Sequence, residues 1–312
     1  MVTLTGCTGG VNSASGTITV YSQFNSGVLR SFSNICYDTS PDTLRFNIAP
    51  TGGGGSYGYQ WQDSIVGGNW TDVAGATSSS YRPGNLQQTR FYRVRVQSLL
   101  GCGFLFTPSS RVLVYLPFSV GSIVGADTVC YNTRPDTMRV LNLPTGGDLS
   151  YSYQWLESLS GNGPWAPVVG QTGTTYRPGN LLASRYYRLL MRSGSGCGVD
   201  SSNVVMVRAW LDVVPAQAGA NSPSICYDSS TYVYRLSGAS GSDGNFSYQW
   251  QRKQSGIWTN ISGATSDTFY TGSLQQTTQY RLRTISAFGC SDKFSDSVVV
   301  QVYSQFNSGV LR

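Results

Sequence analysis

The chain has 312 residues, no histidine, a formal charge of +6 and few charged side chains. The missing histidine excludes His-based triads, most zinc sites and most acid–base catalysis near neutral pH. The charge comes from 19 arginines and 2 lysines spread at strand spacing rather than gathered in a block, which argues against nucleic acid, and no apolar run approaches the roughly 18 residues of a membrane span.

Taken in order, residues 1–21 read as the C-terminal strand of a preceding repeat. Gly6-Cys7 stands before Thr17–Tyr21 as Gly289-Cys290 stands before Val298–Tyr303, and Met1 is not followed by the basic and apolar segments of a signal peptide. A unit of about 95 residues then recurs three times, over 22–117, 118–212 and 213–302, and 303–312 begins another. Val20–Arg30 returns letter for letter as Val302–Arg312, which predicts that the chain is a window on a longer array. Short Pro-bearing junctions at Leu116-Pro117 and Val214-Pro215 predict a semi-rigid string.

In the first repeat, Cys36 precedes a predicted strand over 43–48, and the turn at Gly52–Gly55 leads into Tyr59-Gln60-Trp61-Gln62. Trp70 stands on a short strand. Gly75-Ala76-Thr77-Ser78 and Tyr81-Arg82-Pro83-Gly84-Asn85-Leu86 follow, then a strand over 91–96, Gly101-Cys102 and a last strand over 111–115. Strand alternation puts Tyr59 and Trp61 on one face and Gln60 and Gln62 on the other, with Tyr92, Val94 and Val96 opposed to Arg93 and Arg95. The second and third repeats follow the same plan around Trp155 and Trp250. About seven short strands with a buried tryptophan on the third predict an all-β fold, a tandem array of immunoglobulin-like or fibronectin-like β-sandwiches.

Each repeat carries one early and one late cysteine, 66, 67 and 64 residues apart, with no CxxC spacing for zinc. The spacing predicts bridges within repeats, Cys36–Cys102, Cys130–Cys197 and Cys226–Cys290, each contributing roughly 4 kcal/mol, with Cys7 left free. Disulfides imply an oxidising compartment.

Little catalytic chemistry is on offer. Glu157 is the lone glutamate and the aspartates sit mostly in turns, so the chain reads as no enzyme, with no cofactor and no metal site. The candidate ligand face is the polar side of the two central strands: Gln60, Gln62, Arg93 and Arg95, then Gln154, Arg188 and Arg192, then Gln249, Gln251, Arg281 and Arg283. The plainer reading is a solvated sheet face with cross-strand hydrogen bonds; as a ladder of planar donors the same residues suit sugars or acidic polymers.

The recurring blocks Ile35-Cys36-Tyr37, Tyr59-Gln60-Trp61-Gln62, Gly75-Ala76-Thr77-Ser78, Tyr81–Leu86 and Phe91-Tyr92-Arg93, with their counterparts, resemble the repeat region of giant SprB-type gliding-motility adhesins of Bacteroidota. The resemblance implies export by type IX secretion, display on the extracellular cell surface as a long filament, and attachment to external polysaccharide or a solid surface, with copies of itself as further partners. It also implies O-glycosylation at Thr43 and Thr137, each in an Asp-Thr-apolar trio, where capping of a turn by the aspartate is the other reading. The alternative function is a carbohydrate-binding module array of a secreted polysaccharide-degrading protein.

Overall fold

The computed structural model describes residues 18–306 and Gly309. Cys7 and most of the strand expected at 1–21 lie outside the described residues, and Ile18–Tyr21 form no strand. Two compact units result. One takes the chain to Phe118 together with Gly146–Ser150 and Ser193–Gly198, the other the remainder.

The first unit is built on the first repeat. Its strands are β1 (Val28–Leu29), β2 (Leu44–Ile48), β3 (Tyr57–Ser64), β4 (Thr71–Asp72), β5 (Ser80–Tyr81), β6 (Arg90–Ser98), β7 (Phe104–Phe106) and β8 (Ser110–Val112). One sheet has the order β1-β2-β5 and the other β4-β3-β6-β7, with β8 also on β6. After β1 the chain crosses to the second sheet, where Ile35 bridges Val114 in parallel. An edge strand that changes sheets in this way is an immunoglobulin-like arrangement.

Eight strands form where seven are expected, because the last strand is broken at Thr107. There Thr107 gives its N–H to the Val94 carbonyl at 2.9 Å, and its hydroxyl accepts the Val94 N–H at 3.0 Å. Ser202 with Leu189 and Ser295 with Leu282 repeat the pair of bonds. A buried amide would otherwise be orphaned at the break, so a hydroxyl is needed at this position in each repeat.

The alternation read from the sequence places the core correctly. Leu44, Trp61, Val94, Val96 and Val112 are fully buried, and the Trp61 indole N–H donates to the Ser78 carbonyl at 2.9 Å. Tyr81 packs between Trp61 and Tyr92. The residues that alternate with the buried ones on β6, Phe91, Arg93 and Arg95, are half-buried, and Gln97 is exposed.

The second unit holds most of the second repeat and all of the third. In each, a three-stranded sheet (Ser122–Val124, Met138–Asn142 and Thr175–Tyr176; Ala218–Ala220, Tyr232–Arg235 and Thr268–Tyr270) faces a six-stranded one. The parallel bridge of the first repeat lengthens here into true strand pairs, Asp127–Val129 on Val205–Ala209 and Ser224–Ile225 on Val298–Val302. Trp155 and Trp250 occupy the place of Trp61, fully buried, with indole N–H bonds of 3.0 Å to Gly173 and Ser266.

Burial raises the pKa of the core phenols Tyr92, Tyr187 and Tyr280. The folded state therefore keeps protons that the unfolded chain releases near pH 10, so stability is intact below that pH and falls as pH rises above it. A pH titration followed at 295 nm is expected to show these phenols ionising together with loss of β-sheet circular dichroism, later than the exposed tyrosines.

Candidate functional site: the arginine face and the cysteine joints

In each repeat the structure sets the candidate residues on the central strands of the larger sheet and engages most of them within the protein. Gln60 pairs with Arg95 and Gln62 with Arg93 across β3 and β6. The Gln60 amide turns back to donate to the carbonyls of Trp61 and Val73 at 2.9 and 2.8 Å. Gln154 and Gln249 make the same brace, to Trp155 and Val168 and to Trp250 and Ile261. Arg93 lies between Trp70 and Phe106, 4.4 and 4.0 Å from the ring centres, and its Nε donates to Gln62 Oε1 at 2.8 Å. Arg281 repeats this between Trp258 and Phe294, held by Gln251.

Burial under the rings lowers the pKa of Arg93 and Arg281, and the flanking π faces compensate for lost hydration. In the second repeat Leu156 stands where Gln62 stands in the first, and Arg188 keeps only Trp165, at 4.4 Å, while its buried Nε has no partner. Arg192 is exposed, and Arg283 is paired with Asp292. Arg95 is the looser member, 6.0 Å from Phe104. The aromatic partners Phe106 and Phe294 escape a sequence reading because they lie on the far side of a hairpin.

Stacking makes Arg93 and Arg95 unequal. Arg93→Lys loses the planar contact and the Nε–H bond to Gln62, an expected cost of about 1 kcal/mol, whereas Arg95→Lys stays within about 0.5 kcal/mol. Urea unfolding of the two variants side by side checks this.

Thr43 and Thr137 are exposed, each immediately before the strand that begins at Leu44 or Met138. Among the described residues no three His, Cys, Asp or Glu side chains gather to hold a metal.

The cysteines correct the sequence expectation. None of Cys36–Cys102, Cys130–Cys197 and Cys226–Cys290 forms; the bonds are Cys36–Cys197 in the first unit and Cys130–Cys290 in the second, and Cys102 and Cys226 are free and exposed. The reason is geometric. The early cysteine lies at the trailing end of its sandwich, beside the Ile35–Val114 bridge, and the late one lies in the hairpin after β6, at the leading end. The nine residues of β6 separate the two ends by about 27 Å, several times the Cα–Cα reach of a disulfide, about 4.4–6.8 Å. An early cysteine therefore cannot reach the late one of its own repeat, and both early cysteines that are bonded meet the hairpin of the next repeat.

Non-covalent contacts accompany each bond. In the second unit Leu211–Val214 pairs with Ser240–Ser242, Trp210 meets Phe288 edge-on at 6.1 Å, and Asp212 pairs with Lys293 at 3.3 Å. Gly241, at φ 88°, approaches the Asp212 carbonyl so closely that a Cβ would collide with it. In the first unit Gly146 stands in the same relation to the Pro117 carbonyl, and Gly52 to that of Gln23. The three repeats thus share one design of joint, a loop glycine laid against the chain that arrives from upstream.

One family model, described as a domain of unknown function, DUF8696, matches three times, at residues 25–115, 119–209 and 215–304. No curated protein matches the sequence. Among solved structures, a marsupial T cell receptor is similar over 86% of this chain and 98% of its own, at 10% identity and a TM-score of 0.42. The FN1–FN3 domains of chicken CNTN1 cover 88% and 98%, at 15% identity and a TM-score of 0.30.

Proposed function

The chain belongs to the DUF8696 family, three times over, and from that premise we propose that it is a tension-carrying segment of an extracellular adhesive array. The observation that carries the reading is the crossed pair of disulfides, each tying a repeat to its successor. Disulfides of this kind fit an oxidising, extracellular setting.

The crossed bonds change how force travels. From Cys36 the covalent path jumps to Cys197, returns through the second repeat to Cys130, and jumps to Cys290. Only the 67 residues between 130 and 197 can then extend, instead of the 254 between 36 and 290. Fully stretched, that is about 230 Å against about 860 Å.

The finer reading follows the motifs: a repeat region like that of SprB-type gliding-motility adhesins, exported by type IX secretion, meeting external polysaccharide or a solid surface through many weak contacts whose avidity grows with repeat number. Exposure of Thr43 and Thr137 supports O-glycosylation at both. The carbohydrate-module alternative is weaker, because Arg93 and Arg281 are already stacked and hydrogen-bonded within the protein.

Single-molecule pulling from the two termini tests the first part. The oxidised chain is expected to release the shorter length between Cys36 and Cys290 and the reduced chain the longer; equal lengths would overturn the proposal. For the adhesive part, beads coated with the chain are expected to hold to glass or agarose under flow, and detachment at the same force as albumin-coated beads removes it.

A further inference from the structure

We propose that Cys102 and Cys226 are the two open ends of a continuing disulfide ladder, and that each bonds a cysteine of a further repeat of the same kind. Cys226 takes the late, Gly-Cys cysteine of a repeat that follows; Cys102 takes the early cysteine of one that precedes. The inference rests on the pairing rule between neighbours, not on the adhesive reading.

Both thiols sit in turns already shaped for the bond. Cys226 occupies the turn that holds Cys36 and Cys130: the cysteine carbonyl accepts the N–H of Ser229, Thr39 and Thr133 at 3.1, 3.3 and 3.2 Å. Two residues on, Asp228, Asp38 and Asn132 all adopt the left-handed region, with φ of 61°, 57° and 55°. Their N–H groups donate to Leu274, Leu86 and Leu181. Cys102 follows Gly101 at φ 86°, as Cys197 follows Gly196 at 76° and Cys290 follows Gly289 at 84°. Two of the three early turns and two of the three late ones carry a bond, always early to the next late.

A second, independent observation concerns the chain that leads into the first repeat. Upstream chain is already docked on the first repeat in the manner of the other joints, with Asn25 and Thr51 exchanging backbone hydrogen bonds of 2.9 and 3.1 Å and Gly53 donating to Ser22. Phe24 stacks on Tyr57 at 5.8 Å. The hairpin that holds Cys102 has the same place in its repeat as those of Cys197 and Cys290, which receive their bonds next to such a docked segment.

The chemistry is thiol–disulfide exchange with a low-molecular-weight disulfide such as oxidised glutathione. One cysteine thiolate attacks the oxidant and releases one reduced glutathione. The second thiolate displaces the other, so two thiols lose two electrons and two protons and two molecules of reduced glutathione are formed.

The identity of Val20–Arg30 with Val302–Arg312 allows a seamless test, because Arg312 can be continued directly into a second copy of residues 31–117. In a Cys7→Ser background, the 312-residue chain and the extended chain are refolded in a glutathione redox buffer, alkylated with iodoacetamide and mapped without reduction. Cys226 is expected to be labelled in the short chain when dilute, and in the extended chain to lose its label and map to the added copy of Cys102. At high concentration the short chain is expected to form Cys226-to-Cys102 bonds between copies, which Cys226→Ser abolishes. Mapping of protein from its native source separates a neighbour in the same polypeptide from a second copy, by the size of the linked species under denaturing, non-reducing conditions. If Cys226 stays labelled in the extended chain while Cys130–Cys290 is found intact, the ladder is wrong and the tension-carrying reading stands. Bonds between two Cys226 residues in place of Cys226 to Cys102 overturn it equally.

Discussion

Replacing Cys130 and Cys290 together by serine is expected to destabilise the unit that joins the second and third repeats by up to about 5 kcal/mol, the chain-entropy value for a closed loop of this length. The loop spans 160 residues and both sandwiches, so the full effect is reached only when the two unfold together. What remains at the joint is modest: one edge-on aromatic pair, a short strand pairing and the Asp212–Lys293 pair, both partners of which are a third or more exposed. Exposed ion pairs contribute about 0–1 kcal/mol. Calorimetry of the oxidised chain is therefore expected to show coupled unfolding, and the double variant a lower first transition with the two repeats melting apart. An unchanged profile would mean that the covalent tie adds nothing to coupling between neighbours.

The second large effect lies in the core. Trp250→Ala removes a fully buried side chain and leaves the Ser266 carbonyl without the indole N–H it accepts. Truncation of a buried tryptophan costs about 3–5 kcal/mol, a large share of the about 5–15 kcal/mol that holds a domain folded. The third repeat should unfold at far lower urea than the other two, seen as a separate early transition in fluorescence. Trp258→Ala is the matched control. Trp258 is half-buried and meets two cations, the Arg281 guanidinium at 4.4 Å and the Lys253 ammonium at 5.9 Å, so about 1 kcal/mol is expected. If the two variants unfold alike, the alternation that assigns one tryptophan to the core and the other to the face is misread.

How far the sequence reaches is clearest at particular residues. Tyr92, Val94 and Val96 against Phe91, Arg93 and Arg95 is a period of two, and a period of two has one structural meaning when one face must be buried. Together with the recurring motifs it was enough for the all-β sandwich, the buried central tryptophans and the threefold repetition. It was not enough for the work of the polar face, since Phe106 and Phe294 reach Arg93 and Arg281 only after a hairpin folds back over the sheet. The break at Thr107 was equally hidden, because a hydroxyl that replaces a backbone acceptor leaves no mark in the apolar pattern.

The cysteines divide the two kinds of knowledge most sharply. Their number and even spacing are properties of the chain, and they announce a disulfide framework with the period of the repeat. Which thiols meet is decided by position along the sandwich axis, a coordinate that spacing in sequence does not carry. Strand β6 sets the early and late cysteines of a repeat at opposite ends, and the arrival of each repeat at the leading end of the next supplies the partner. A bond needs two atoms at one end of the fold, and only the tertiary structure determines the ends.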